Sequence, residues 1–385
     1  MSVIAKEPAT LQKQPKNKVV YIDNLKVILT ALVILHHACV TYGGPGSWYY
    51  SEKTANAGAI IPMTIFVSTN QAFFMGFFFF LSALFIPSSL NKKGTAVFIK
   101  DRLLRFGIPL FFYSFILSPI MDYLVYYYGG EHYITFLQFL SGYDGWISFG
   151  VMWFVLALLL FTGVYILIRR FLTSETEIWK LPSVNRILLV AIAIGFVSFL
   201  VRIIFPVGWV LSPFGFQLGH FPQYIAMFTF GLIAANSKWL DQLEYSRYKK
   251  SATITACLIL IGFPVIYTFK FVFDSALGWF SGGFHPESLL YASWEQLTGF
   301  TISTALICFG KRYWNTTSPF LTALARCSFG VYILHPLVLI SLSLIAKSWP
   351  IDPALKFLIV GPVGVALSFL LGYIVVRIPG VNKVL

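Results

Sequence analysis

The segment Asp23-Asn24-Leu25-Lys26 is followed by ten residues and then by His37. Eleven residues of an α-helix cover close to three full turns, so Lys26 and His37 are expected on one face, about 16 Å apart along the axis. Asp23 lies three residues before Lys26 and can pair with it. A neutral imidazole in this position can accept a proton from a hydroxyl group, which makes His37 a candidate general base. The alternative is a buried histidine that is hydrogen-bonded to another helix.

Two arginines, Arg102 and Arg105, are separated by two leucines. On a helix this spacing places both side chains on the same face. Planar guanidinium groups bind phosphates through two parallel hydrogen bonds, so the pair predicts a phosphate-binding site. The alternative is that both arginines only anchor a membrane helix on its cytoplasmic side.

A third set of polar residues consists of Ser328, Tyr332 and His335. Their spacings of four and three residues predict one stripe along a helix. Pro336 follows directly and can kink that helix. The stripe either faces the same cavity as His37 or joins neighbouring helices through hydrogen bonds.

Glu295 is a lone carboxylate in an otherwise apolar segment, where it needs a cation or a proton. We predict that it orients His37 or contacts the substrate; a protonated or interface-solvated carboxyl is the alternative. Four further ionisable residues near segment ends are expected either to line an acceptor entrance or to extend to the membrane surface, namely Arg202, His220, Lys270 and Asp274.

The elements that position these residues must be membrane helices. Of the 385 residues, 57% are hydrophobic and only 11% are charged, and the mean hydropathy is +0.76. A soluble domain carries about 25% charged residues, so this composition excludes a soluble protein, and it excludes a disordered one as well. We predict an all-α polytopic membrane protein. Its ten apolar windows are roughly 24–42, 65–86, 105–128, 147–168, 186–205, 217–236, 251–273, 289–309, 324–346 and 354–376.

The distribution of basic residues predicts the orientation. The net charge is +13, and 23 of the 28 Lys and Arg residues fall in alternate inter-window segments that include both termini. By the positive-inside rule both termini are cytoplasmic, and the charge requires no nucleic-acid partner. We predict a cytoplasmic polar tail at 1–20, one membrane domain at 21–377 and a cytoplasmic C-terminal tail at 378–385. Trp48 and Tyr49 are interpreted as part of an aromatic belt at the outer interface.

Several kinds of site are not indicated. The four cysteines are scattered without a C-x-x-C pair, and there is no P-loop, G-x-G-x-x-G before a helix, H-E-x-x-H or G-x-S-x-G motif. We therefore predict no metal site and no bound cofactor.

The chain resembles the acyltransferase-3 family of membrane proteins, most closely the branch related to glucan biosynthesis protein C. The motifs that carry the resemblance are, in chain order, Asp23-Asn24-Leu25-Lys26 with His36-His37-Ala38, Phe79-Phe80-Leu81-Ser82-Ala83, Arg102-Leu103-Leu104-Arg105, Trp153-Phe154, and Ser328-Phe329-Gly330-Val331-Tyr332-Ile333-Leu334-His335-Pro336. Lys26 replaces the more usual Arg, Ala83 replaces Gly, and the His that often precedes the Trp-Phe pair is absent.

The resemblance implies a membrane O-acyltransferase that takes an acyl group from cytoplasmic acyl-CoA. The acyl group is predicted to be acetyl, with succinyl as the alternative, and the acceptor is a hydroxyl of a carbohydrate or lipid-linked sugar. The predicted catalytic residues are His37, Glu295, Tyr332 and His335. The predicted donor-binding residues are Lys26, Arg102, Arg105 and Ser328. The predicted location is the bacterial cytoplasmic membrane. The alternative function is a proton-coupled transporter or flippase, which would use buried His and Glu residues as a proton relay.

Overall fold

The computed structural model describes residues 19–171, 178–381 and 384, and these residues form helices without any β-strand. The long helices are α1 (Val20–Tyr42), α2 (Ala57–Ala83), α3 (Thr95–Gly129), α4 (Gly150–Phe171), α5 (Val184–Ile204), α6 (Phe221–Asn236), α7 (Tyr245–Val272), α8 (Pro286–Tyr313), α9 (Pro319–Ala346) and α10 (Pro353–Val375). Three shorter α-helices are Ile86–Lys93, Phe136–Ser141 and Leu277–Ser281, and a 3₁₀ helix, Leu218–His220, precedes α6. All ten predicted apolar windows are therefore helical, and the all-α prediction is confirmed.

Eight of these helices are long and apolar enough to cross a membrane, so the protein is a polytopic membrane protein. The two others are α6 and α8. Helix α6 has 16 residues, fewer than the roughly 20 that span a bilayer. Helix α8 has 28 residues but contains Glu295 and Gln296 near its middle. Both still belong to the bundle, because the connections before and after each of them lie at opposite ends of it, as they do for the other helices.

One end of the bundle collects the connections that follow α1, α3, α5, α7 and α9. The hydrogen bonds that join these connections are Thr54 to Asp352 at 2.9 Å, Lys347 to Glu131 at 2.7 Å and Val207 to Ser281 at 2.7 Å. We call it the opposite end, because the other end carries most of the Lys and Arg residues. Alternate connections therefore lie together, as the predicted topology requires.

The basic end collects the first residues of α1 and the connections after α2, α4, α6 and α8. Its hydrogen bonds include Arg169 to Asn91 at 2.6 Å, Trp179 to Ser237 at 3.0 Å, Lys311 to Leu240 at 2.7 Å and Asn24 to Trp314 at 2.7 Å. Consecutive long helices thus run in opposite directions. That the basic end faces the cytoplasm is the positive-inside prediction. Residues 1–18 of the predicted N-terminal tail lie outside the described residues, as do 382, 383 and 385 of the C-terminal tail.

Helix α8 lies in the interior and packs against α1, α2, α5 and α7. Its closest approach is at Gly299, where an added Cβ would lie 2.0 Å from the carbonyl oxygen of Ala72 in α2. No side chain fits into that space, so α8 and α2 meet backbone to backbone. Interior packing explains how a polar helix is accommodated, since its polar side chains face neighbouring helices rather than lipid.

Helices α3 and α7 contain wider, π-helical turns just before prolines. These turns and the prolines that follow are Leu103–Gly107 before Pro109, Tyr113–Leu117 before Pro119 and Leu258–Gly262 before Pro264. Proline lacks an N–H group, and its ring clashes with the carbonyl group four residues earlier. In each case that earlier residue lies inside the wider turn, which relieves the clash. The first of these turns contains Arg105, one of the predicted phosphate-binding residues.

Candidate functional site

A cavity of about 400 Å³ lies among α1, α2, α3, α4 and α9, toward the basic end. Its polar lining includes all four residues predicted to bind the donor. The residues that line it are Asp23, Lys26, Thr30, Phe78, Ser82, Phe85, Arg102, Arg105, Phe106, Phe154, Val155, Leu158, Ser328, Phe329 and Tyr332. Four predicted donor-binding residues and one predicted catalytic residue, which come from three separate sequence motifs, therefore line one cavity.

Three cations line this cavity. The Lys26 ammonium lies 3.8 Å from Asp23, as its spacing predicted, and 4.8 Å from the centre of the Phe85 ring. The Arg102 guanidinium lies 5.0 Å from the ring centre of Phe98. Arg105 is exposed, and neither arginine forms a salt bridge with another described residue. Their donor groups are therefore available to an anion from outside the chain.

Two serines line the cavity beside the cations. The Ser328 hydroxyl donates to the carbonyl oxygen of Leu324 on its own helix at 2.8 Å, so only its lone pairs remain to contact a ligand. Ser82 is partly exposed. Ser328 can therefore accept a hydrogen bond from a molecule bound in the cavity.

Tyr332 connects the cavity with a group of histidines. Its ring lines the cavity, and the ring centre lies 6.0 Å from that of His335. The Tyr332 hydroxyl donates to the carbonyl oxygen of Val151, just before the Trp153-Phe154 pair. The phenol is thereby fixed in position, and its proton is already engaged.

His37 lies beyond Tyr332, and its ring lies near those of Trp48, His335 and the neighbouring His36. Its imidazole stacks on Trp48, with ring centres 3.8 Å apart and planes 20° from parallel. The ring of His335 is 5.5 Å from that of His37, with planes 16° apart. His37 is partly exposed, whereas His335 is fully buried. The structure thus brings together two of the predicted catalytic residues, from α1 and α9.

His36 has a different environment. It is 7% exposed, and its ring lies 5.0 Å from that of Phe74 in α2. The hundred-degree rotation between successive helix residues separates it from the face of His37. His36 therefore belongs to the packing between α1 and α2.

Sequence reasoning missed the role of Trp48, which it assigned to an aromatic belt. The structure instead turns Trp48 inward onto His37, and the hydroxyl groups of Tyr49 and Tyr113 lie 2.9 Å apart. The connection that carries Trp48 is held at the opposite end by the buried Lys356, whose ammonium lies 2.5 Å from Glu52. The only signal in the sequence was the concentration of aromatic residues at 48–50.

Glu295 lies in a second buried cluster. Its carboxylate is paired with Arg202 of α5 and accepts a hydrogen bond from Nδ1 of His220 at 2.8 Å. Arg202 also donates through Nε to the carbonyl oxygen of Gly219 at 3.1 Å. No described contact joins Glu295 to His37, so its predicted orienting role has no direct geometric support.

The burial of this cluster corrects one expectation. Arg202 is 0% exposed and His220 is 2% exposed, so neither extends to the membrane surface. Both side chains contact the Glu295 carboxylate. A buried carboxylate is stable only when a nearby cation or hydrogen-bond donors offset the free energy lost by removing its charge from water. Lys270 and Asp274 lie at the end of α7 and just beyond it.

The described residues contain no group of three His, Cys, Asp or Glu side chains that could hold a metal ion. The arrangement is instead suited to bind an anionic molecule at the basic end and to move a proton at the histidines. Comparison with curated proteins and with solved structures gives no significant match.

A family model described as an acyltransferase domain matches residues 19–373, from just before α1 to near the end of α10. The match is to the family as a whole, so the resemblance to the glucan biosynthesis branch stays a prediction. The matched segment covers nearly the whole bundle, including the cavity and the histidines beside it. The protein is therefore a membrane acyltransferase, and the chain belongs to the acyltransferase-3 family.

Proposed function

We propose that the protein transfers an acyl group, acetyl in the first instance and succinyl as the alternative, from acyl-CoA to a hydroxyl of a carbohydrate or glycolipid. The observation that carries the proposal is the cavity at the basic end, with cations at its rim and a tyrosine that leads to two histidines. By this proposal the basic end faces the cytoplasm of a bacterial cell, where acyl-CoA is available.

The phosphates of coenzyme A bind to Arg102, Arg105 and Lys26 in this proposal. Guanidinium groups suit phosphates because they donate two hydrogen bonds in one plane. A cavity of about 400 Å³ accommodates the thioester arm, while the nucleotide remains at the cavity mouth. The thioester then lies near Tyr332, whose ring is next to that of His335.

His37 acts as the general base. It accepts the proton of the acceptor hydroxyl while that oxygen attacks the thioester carbonyl carbon. The new ester C–O bond forms, the C–S bond breaks, and the coenzyme A sulfur leaves. The sulfur takes up the proton from His37, which restores the neutral imidazole.

Acyl transfer is tested with purified protein in nanodiscs. The protein is incubated with acetyl-CoA or succinyl-CoA, with and without candidate glycan acceptors, and free coenzyme A thiol is measured. We expect thiol release that depends on His37 and identifies the donor. Neither binding nor thiol release with either donor, in protein shown to be folded, would contradict the proposal and favour a transporter.

Replacing Arg102 and Arg105 tests the phosphate site. We expect Arg102→Ala and Arg105→Ala each to weaken acyl-CoA binding by about 10- to 100-fold, since a hydrogen bond to a charged group contributes about 1.5–3 kcal/mol. The KM for acyl-CoA in the nanodisc assay measures this effect. A matched control replaces two exposed arginines outside the cavity, Arg170→Ala with Arg312→Ala. Equal KM values in all of these variants would contradict the proposal that Arg102 and Arg105 bind the phosphates of coenzyme A.

A further inference from the structure

Pro336 lies inside α9, directly after His335. In an uninterrupted helix the N–H of residue 336 would donate to the carbonyl oxygen of residue 332. Proline has no N–H, so the carbonyl oxygen of Tyr332 is left without that donor. The backbone therefore offers an acceptor in the interior of the bundle, next to the histidines.

His335 uses this acceptor. Its Nδ1 atom lies 2.8 Å from the carbonyl oxygen of Tyr332. A carbonyl oxygen can only accept a hydrogen bond, so Nδ1 must carry the proton. In the neutral ring Nε2 is then unprotonated and has a free lone pair. This atom is buried and has no hydrogen-bond partner among the described residues.

The position of the His335 ring shows which group Nε2 can meet. Three distances between ring centres define the arrangement. The Trp48 ring lies against the face of the His37 ring at 3.8 Å, the His335 ring lies 5.5 Å from the His37 ring, and Trp48 and His335 are 6.2 Å apart. These distances place His335 nearly at a right angle to the stacking direction, beside His37 and close to its plane. Ring N–H groups and nitrogen lone pairs point along the ring plane, so the two histidines can hydrogen-bond edge to edge.

We propose that Nε2 of His335 accepts a hydrogen bond from the ring N–H of His37 during the reaction, and that Pro336 enforces this arrangement. The other nitrogen of His37 is thereby kept unprotonated and directed to the acceptor hydroxyl. When His37 takes the hydroxyl proton, the resulting imidazolium continues to donate to His335. That same proton then leaves with the coenzyme A sulfur, so His335 and Pro336 are positioning residues and no net proton remains on them.

This inference rests on the proposed function, and two substitutions of His335 separate the hydrogen bond from the packing. His335→Phe keeps an aromatic ring but removes the acceptor, whereas His335→Gln places an amide oxygen near the position of Nε2. We expect kcat to fall about 100-fold in His335→Phe, which is the lower end of the rate contribution made by a positioned general base. The KM for acyl-CoA should stay unchanged. We expect His335→Gln to recover at least tenfold of that loss.

Pro336→Ala tests the origin of the arrangement. The new N–H competes for the Tyr332 carbonyl oxygen, which releases Nδ1 of His335. We expect kcat to decrease and the KM for acyl-CoA to stay constant. Pro362→Ala is the matched control, because Pro362 also lies inside a helix, α10, but not in the cavity lining.

The protonated nitrogen of His335 is read independently of activity by ¹⁵N NMR of histidine-labelled protein in nanodiscs. The expected signals show Nδ1–H in the wild type and a mixture of both forms in Pro336→Ala. A wild-type ring protonated on Nε2, or a wild-type kcat in His335→Phe, would overturn the inference. If the wild type releases no thiol from acyl-CoA, the proposed function fails, while the NMR result still decides whether Pro336 sets the protonation of His335.

Discussion

His37→Ala is expected to reduce acyl transfer by about 10²- to 10⁴-fold, the contribution that a positioned general base makes to a reaction rate. No other described histidine occupies the same position, because His335 has its Nδ1 bound to the backbone and His36 packs against Phe74. Binding of acyl-CoA should persist, since His37 does not line the cavity and Lys26, which does, lies about three helix turns before it in α1. The measurement is thiol release at saturating acyl-CoA, together with donor binding.

His132→Ala provides the control for this experiment. His132 is exposed in the connection after α3, and its ring lies against that of Tyr126, with ring centres 4.4 Å apart and planes 37° from parallel. We expect its removal to leave the transfer rate unchanged. His37→Phe complements it, because phenylalanine can keep the stacking on Trp48 while lacking the nitrogens. A transfer rate near that of the wild type in His37→Phe would show that His37 only packs.

Arg202→Ala and Glu295→Ala are each expected to destabilise the protein by about 3–5 kcal/mol, because each leaves an uncompensated charge in the interior. Both side chains are almost fully buried, at 0% and 2% side-chain exposure. Replacing both by methionine removes both charges at similar volume, and such replacements are often neutral or stabilising. Thermal unfolding in detergent or nanodiscs, followed for the two single variants and the double variant, measures this pattern.

An exposed ion pair gives the comparison. Lys93 and Asp101 lie 2.5 Å apart with side chains 44% and 45% exposed, and such pairs contribute about 1 kcal/mol or less. A loss from Glu295→Ala no larger than that from Asp101→Ala would contradict the buried-pair argument. The activity of the stable double variant also tests the predicted role of Glu295: retained transfer would restrict Glu295 to stability.

The cavity was predictable from the sequence because its determinants are local. Lys26 and the Arg102–Arg105 pair lie at helix positions whose periodicity sets their direction, and Ser328 and Tyr332 share one stripe of α9. Hydropathy alone locates the helices that carry them. Pro109 likewise indicated a local opening of the helix, and the wider turn at Arg105 lies directly before it.

The residues that were not predicted depend on contacts between distant parts of the chain. Trp48 reaches His37 because its connection folds back over the bundle, and no periodicity describes a connection. The partners of Glu295 lie 75 and 93 residues earlier in the chain. Without coordinates, such a carboxylate cannot be matched to one cation among several, and for that reason a link to His37 was predicted.

The pairing of Arg202 with Glu295 also has a consequence for how the protein is made. Helix α5 leaves the ribosome well before α8, so Arg202 enters the membrane before Glu295, its partner carboxylate, has been synthesised. A charge at membrane depth costs a few kcal/mol on insertion scales, and α8 carries its own charge with too few apolar residues to offset it. Helix α5 is apolar enough to cross the membrane by itself, whereas α8 is not among the helices that are. We therefore expect α8 to enter the lipid late, when Glu295 can pair with the Arg202 that α5 has already brought into the membrane.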